Sequence, residues 1–172
     1  METTSPEIER VAHEIVDAAF KISSKLGPGL LESTYRVVMI YELRKRGFDV
    51  KSEVPVPVVY EEVRLDAGYR LDLLVNDCVV IELKSVEKLI PLHEAQLLTY
   101  LKLTGYRLGI LINFNTRMIK DGIKRICALG DREALRALRG FVVKNRIEQW
   151  PGSLKIVANP SLKRGRLTSP TT

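Results

Sequence analysis

The sequence predicts a single mixed α/β domain, one sheet flanked by helices, with elements in the order α-α-β-β-β-α-β-α. Three observations carry that expectation. Ile8, Val11, Ile15, Ala18 and Ile22 recur at three- and four-residue steps, the spacing of an amphipathic helix. From Phe48 the period changes to two, as Val54, Val56 and Val58 alternate with Pro55 and Pro57. Further on, Tyr106–Phe114 carries Leu108, Ile110, Leu111 and Ile112, the pattern of a strand buried on both faces. At 172 residues the chain suffices for one domain with a core.

The elements follow in order. Thr4-Ser5-Pro6-Glu7 starts the first helix with a hydroxyl cap, a proline in the first turn and a nearby acid. This helix runs to about Ser24, and Gly27-Pro28-Gly29 breaks it. The second spans roughly Leu30 to Arg46, with Leu31, Tyr35, Val38, Met39 and Leu43 available for packing. Gly47 is placed to end it, just past the basic turn Arg44-Lys45-Arg46. Prolines deny the Val54–Val58 strand a full ladder of donors, so it belongs at an edge. Tyr69–Val75 and Val79–Lys84 are two more strands, separated by the turn residues Asn76-Asp77. Pro91 opens a helix to about Leu103, and Gly105 closes it. Residues 115–129 are ambiguous, because Ile119, Ile123 and Ile126 suit a helix while Gly122 weakens one. Asp131–Leu138 reads as a short helix, with Gly140 behind it. The domain is therefore expected over residues 1–140, followed by a basic extension, 141–172, in which Ser161–Thr172 is expected to be disordered.

Composition narrows the function classes. No stretch approaches 18 uninterrupted apolar residues, and the N-terminus carries acids where a secretory signal needs basic and apolar segments. Cys78 and Cys127 fit no metal-ligand spacing, and His13 and His93 do not complete one. The expected setting is the reducing cytoplasm, with structural thiols and no membrane partner. The net charge of +6 is misleading: residues 141–172 hold six basic side chains against Glu148, leaving only +1 for the first 140 residues. A nucleic-acid partner must be argued from a site rather than from bulk charge. Gly27-Pro28-Gly29 lacks the lysine and hydroxyl of a phosphate-binding loop, which leaves nucleotide hydrolysis without support.

The stretch 78-CVVIELKSVEK-88 supplies the site. Val79–Ile81 is continuous and apolar, yet Glu82 and Lys84 follow, two apart and so on one face of a strand. Ten residues before Glu82, Asp72 interrupts the run Leu71-Leu73-Leu74-Val75. With a two-residue turn at Asn76-Asp77, Asp72 faces Ile81 and misses Glu82. With a three-residue or bulged turn, Asn76 to Cys78, it lies opposite Glu82. Two opposed carboxylates repel, and a divalent cation between them removes the conflict; oxygen ligation suits Mg²⁺ or Mn²⁺. Lys84 beside such an ion is placed to orient a water and to stabilise charge building on a phosphate.

Asp72, nine residues, then Glu82-Leu83-Lys84 on paired strands resembles the core of the PD-(D/E)xK nuclease superfamily. Gln96 and Tyr100, four apart on the next helix, resemble the QxxxY motif of RecB-like members. Gly29-Leu30-Leu31-Glu32-Ser33-Thr34-Tyr35 resembles the signature of the GxxExxY family, and 82–114 and 120-KDGIKRI-126 look similar to it as well. The resemblance covers residues 8–126 and implies a restriction-endonuclease-like fold. It further implies metal ligation by Asp72, Glu82 and the Leu83 carbonyl, and a catalytic Lys84. Glu32 would complete the metal shell, while Gln96 and Tyr100 would position phosphate or buttress the strand. The proline of the superfamily's name is absent, since Leu71 precedes Asp72.

The expected function is therefore a Mg²⁺- or Mn²⁺-dependent nuclease, with nucleic acid, DNA first, as partner. A catalytically silent nucleic-acid- or protein-binding module is the alternative, and a homodimer formed through the Val54–Val58 edge is a third reading. Single residues also have plainer readings. His93 suits a cap, Asp77 a turn, and Lys163-Arg164-Gly165-Arg166 a solvated tail; Lys120, Lys124 and Arg125 suit a phosphate backbone or a solvated face equally.

Overall fold

The computed structural model describes residues 4–65, 69–128 and 157–158. Helix α1 (Pro6–Leu26) is capped by Ser5, whose hydroxyl accepts from the Ile8 amide at 3.4 Å. It ends at Gly27, whose φ of 68° is a conformation that side chains disfavour. Helix α2 (Glu32–Lys45) closes through paired bonds, Gly47 N to Arg44 O at 2.9 Å and Phe48 N to Leu43 O at 3.1 Å, with Gly47 at φ 86°. That is a Schellman ending, for which glycine is the natural residue. Tyr35, Met39 and Leu43 are buried as expected, whereas Leu31 precedes the helix and is 75% exposed.

Five strands, β1 (Val50–Pro55), β4 (Arg70–Val75), β5 (Val79–Lys84), β6 (Leu108–Asn113) and β7 (Ile123–Cys127), form one sheet in the order β1-β4-β5-β6-β7. Only β5 and β6 run parallel, joined by helix α3 (Pro91–Thr104); the other pairs are antiparallel. A second sheet pairs β2 (Val58–Tyr60) and β3 (Val63–Leu65) with β8 (Val157–Ala158), in the order β2-β3-β8. The architecture is thus a mixed five-stranded sheet flanked by helices, the class expected from the sequence.

Period-two alternation gives the sheet two apolar faces. Leu73, Val75, Val79, Ile81, Leu83, Ile110 and Ile112 pack with α1 and α2, while Leu74, Val80 and Leu111 pack with Leu97, Tyr100 and Leu101 of α3. All six residues of β6 are buried, as its continuous apolar run predicts.

Three details differ from the sequence reading. The expected Val54–Val58 strand divides: β1 stops at Pro55, still at a sheet edge, and Val58 opens β2 in the other sheet. The short β3 is an additional strand. The ambiguous segment resolves into a single turn of helix, α4 (Ile119–Gly122), followed by β7. Gly122 permits this: a Cβ there would stand 2.3 Å from the Asn113 carbonyl oxygen. The helix expected at Asp131–Leu138 lies outside the described residues, as does the basic extension apart from β8. Among the described residues, no helix is long and apolar enough to cross a membrane.

Helices α1 and α2 are tied by a charge network. Glu42 is only 7% exposed, and its Oε1 meets Lys21 Nζ at 2.6 Å and Arg46 Nε at 3.1 Å. Arg46 also reaches Glu14 at 2.8 Å and Asp17 at 2.6 Å. Hydrogen bonds from Lys21, then Arg46, hold the Glu42 carboxyl below its ordinary value of 4.5. A folded state that binds the proton more weakly than the unfolded chain gains stability above that value and loses it as pH falls. Glu42→Gln is therefore expected to cost about 1 kcal/mol at neutral pH. In chemical denaturation, the gap from wild type should close as pH drops below 4.5.

Candidate active site

The site begins with one turn. Register pairs Val75↔Val79, Leu74↔Val80 and Leu73↔Ile81 leave Asn76, Asp77 and Cys78 as a three-residue loop. Asn76 and Asp77 adopt φ of 48° and 50°, which their short polar side chains tolerate. Extended one rung past its last pair, Leu73↔Ile81, that register would set Asp72 opposite Glu82, and the charge of Asp72 does act on the Glu82 carboxyl. Glu82 and Lys84 alternate with Ile81 and Leu83 and so lie on the face that holds Val80 and α3, whereas strict alternation breaks across Asp72, since Leu71 and Leu74 both pack toward α3.

The sheet opens at Asp72 on both sides. Pairing of β4 with β5 stops at Leu73↔Ile81, and pairing of β1 with β4 steps from Ser52↔Leu73 to Val54↔Leu71, skipping Glu53 and Asp72. Where β4 and β5 part, the Leu83 amide donates to Asp72 Oδ2 at 2.8 Å. The carboxylate is thereby fixed to the strand that carries Glu82 and Lys84.

Glu82 is 3% exposed. Its Oε1 accepts from Lys84 Nζ at 2.7 Å, while its Oε2 is buried without a hydrogen-bond partner. Burial, and then the charge of Asp72, pushes the carboxyl up to about 7, against the pull of Lys84. Burial opposes the charge on Lys84 too, yet Glu82, with Glu32 and Asp72 behind it, raises its pKa overall.

Glu32 reaches the group from the other layer, at the start of α2. Two bonds bring it there. Tyr35 stacks on Phe114 at 4.4 Å and donates to the Gly27 carbonyl at 2.7 Å, pinning the loop ahead of α2. Ser85, just past β5, donates to the Leu30 carbonyl at 2.6 Å. Glu32 is half-buried, and its carboxyl is raised by burial and Asp72 while Lys84 and Arg36 lower it. The structure thus brings Glu32, Asp72, Glu82 and Lys84 into one electrostatic cluster.

Gln96 and Tyr100 are joined to each other, Gln96 Nε2 donating to Tyr100 Oη at 2.8 Å. Burial raises the Tyr100 hydroxyl, and the charges of Glu82, Lys84 and Asp72 register there as well. The pair therefore borders the cluster without hydrogen-bonding it. His93 acts as a cap, its Nδ1 accepting from the Ile90 amide at 3.3 Å. Lys124 pairs with Glu94, and Arg125 with Glu9 at 2.6 Å, so these two cations tie β7 to the flanking helices. Asp77 pairs with Lys51 at 2.6 Å across the turn.

The donors suit a hard divalent cation. An orphaned buried carboxylate oxygen under the charge of a second carboxylate is a cost that such an ion would remove. Among the described residues no group of three His, Cys, Asp or Glu side chains is placed to hold a metal, so an ion here would complete its shell with backbone oxygen and water. Mg²⁺, which keeps several waters, accepts that arrangement.

Some supporting residues escaped the sequence reading. Asn113 is fully buried at the end of β6; its Nδ2 donates to the Val86 carbonyl at 2.8 Å and its Oδ1 accepts from the Val86 amide at 3.1 Å. It clamps the chain leaving β5, and the one clue was an amide closing an otherwise apolar run. Ser85 carried no signal, because its partner is a distant backbone carbonyl.

The family model described as the PD-(D/E)XK nuclease superfamily matches residues 9–126, the region that builds the sheet and the cluster. No curated protein and no solved structure matches the chain.

The approach of α3 to the sheet depends on Gly109 of β6, where a Cβ would meet Leu97 atoms at 2.8–2.9 Å. Gly109→Ala is expected to lose about 1–3 kcal/mol in thermal or denaturant unfolding through overpacking. An unchanged midpoint would show that α3 has slack.

Proposed function

The chain belongs to the PD-(D/E)XK nuclease superfamily, and on that premise we propose that it hydrolyses phosphodiester bonds of nucleic acid, DNA first, with Mg²⁺ or Mn²⁺ held by Asp72 and Glu82. One observation carries the reading: buried Glu82 Oε2 lacks a partner, while Lys84 serves the other oxygen and the charge of Asp72 bears on the same carboxyl. The order of Gly29, Glu32 and Tyr35, then Asp72, then Glu82 and Lys84, then Gln96 and Tyr100 further supports the GxxExxY group with a QxxxY helix.

When bound, the ion would lower the pKa of a coordinated water and offset phosphate charge. The chain's own groups do the rest. Asp72, fixed by the Leu83 amide, and Glu82 would supply two carboxylate ligands on a rigid support. The Leu83 carbonyl is the backbone candidate beside them, and Glu32 would approach the shell from α2 through a water. Lys84, a donor-only ammonium on the same face, would orient the attacking water and meet the charge that builds on the phosphate. Gln96 and Tyr100 would hold the neighbouring phosphate or the strand itself.

Calorimetry with Mg²⁺ and Mn²⁺ tests the metal site: Asp72→Ala should weaken binding at least about tenfold, since it removes one of two charged ligands. Equal affinity in both proteins sinks the site. Cleavage of single-stranded, duplex and branched DNA and of RNA tests the chemistry. Lys84→Ala should retain metal affinity and lose about 10²–10³ in rate. A mutant that cuts as well as wild type, or a wild type that cuts none of these substrates, defeats the nuclease reading.

A further inference from the structure

Arg36 stands one turn beyond Glu32 on the same face of α2. Its Nη1 ion-pairs with Glu53 Oε1 at 3.1 Å, while its Nε is buried with no hydrogen-bond partner. A guanidinium has five donors in a planar fork, and this one keeps at least one of them unused. The one-turn spacing sets the guanidinium beside Glu32, whose carboxyl its charge helps to lower.

Glu53 is the unusual partner. It occupies the rung of β1 opposite Asp72, the rung that the ladder skips, and its φ is 51° in mid-strand. A glutamate in that conformation costs about 1 kcal/mol or more, and such strain concentrates where ligands bind. Its side chain is 54% exposed against 22% for Arg36, and Arg70 lies 4.0 Å away as a second cation for its carboxylate. The geometry is that of a cation held by a displaceable anion.

We propose that Arg36 is a substrate-phosphate-binding residue of this site, occupied by Glu53 until a nucleic-acid phosphate takes the carboxylate's place. The inference rests on the nuclease reading above. A phosphodiester presents two anionic oxygens that match the guanidinium fork, and the partnerless Nε gains an acceptor in the exchange. Glu53 then turns to solvent and to Arg70. Exchange of one anion for another keeps the cation paired throughout.

The test is fluorescence anisotropy of the full chain with fluorescein-labelled single-stranded and duplex oligonucleotides in Ca²⁺, with thermal melts run in parallel. Arg36→Gln should weaken binding about tenfold, the value of a charge-assisted contact, and Arg36→Lys should fall between it and wild type. Glu53→Gln should tighten binding about threefold by removing the competitor. If Arg36→Gln does not fold, Arg36→Lys and Glu53→Gln carry the test. A pair with only a structural role predicts the opposite: lowered melting temperatures in both variants and no gain for Glu53→Gln. Wild-type binding that Arg36→Gln leaves unchanged, or weaker binding by Glu53→Gln, overturns the inference alone. Absence of any oligonucleotide binding by wild type overturns the nuclease reading and this inference with it.

Discussion

Because strand side chains alternate between faces, the length of the turn at Asn76–Cys78 decides whether Asp72 and Glu82 meet at all. One residue fewer would send Asp72 toward α1 and α2 and leave Glu82 alone. The turn is held by Asn76 and Asp77 in left-handed conformations and by the Cys78 amide bonded to the Val75 carbonyl at 3.0 Å. Asn76 also anchors it sideways, accepting from the Asp49 amide at 2.9 Å. Register, rather than any single side chain, is the quantity that the surrounding structure defends.

Electrostatics follow from that register. Three acids, Glu32, Asp72 and Glu82, converge on one half-buried lysine, with Arg36 beside Glu32. Burial raises the cost of every unpaired charge, so the cluster is stable only while its cations are in place. The fold meets this with rigid supports: the Leu83 amide on Asp72, the Asn113 clamp behind β5, and the Tyr35 stack before α2. Each acts on backbone as much as on side chain, which keeps the acids close without a continuous ladder at Asp72.

Legibility in the sequence tracked the locality of the signal. Caps at Ser5 and Gly47, the buried run of β6 and the paired strands around Asn76 all declare themselves within a few residues. The division of β1 from β2 did not, because Val54, Val56 and Val58 keep alternating while the chain changes sheets. Nor did β7, since Ile119, Ile123 and Ile126 fit a helical period that the carbonyl of Asn113 overrides at Gly122. Within the site, Asp72, Glu82 and Lys84 were readable from spacing alone, conditional on the turn. Glu32, Gln96 and Tyr100 needed the resemblance. Ser85, Asn113 and the Arg36–Glu53 pair were illegible, because each depends on a partner 17 to 55 residues away.

The bond from Ser85 to Leu30 has a bearing on how the molecule assembles. Asp72 and Glu82 are brought together by a hairpin, whose closure costs little chain entropy, whereas Glu32 arrives only when a loop spanning 55 residues has closed. Contacts of long sequence separation carry the larger loop-closure cost. Asp72 and Glu82 are thus the local half of the cluster, while the third acid, Glu32, depends on the docking of α2 against the end of β5.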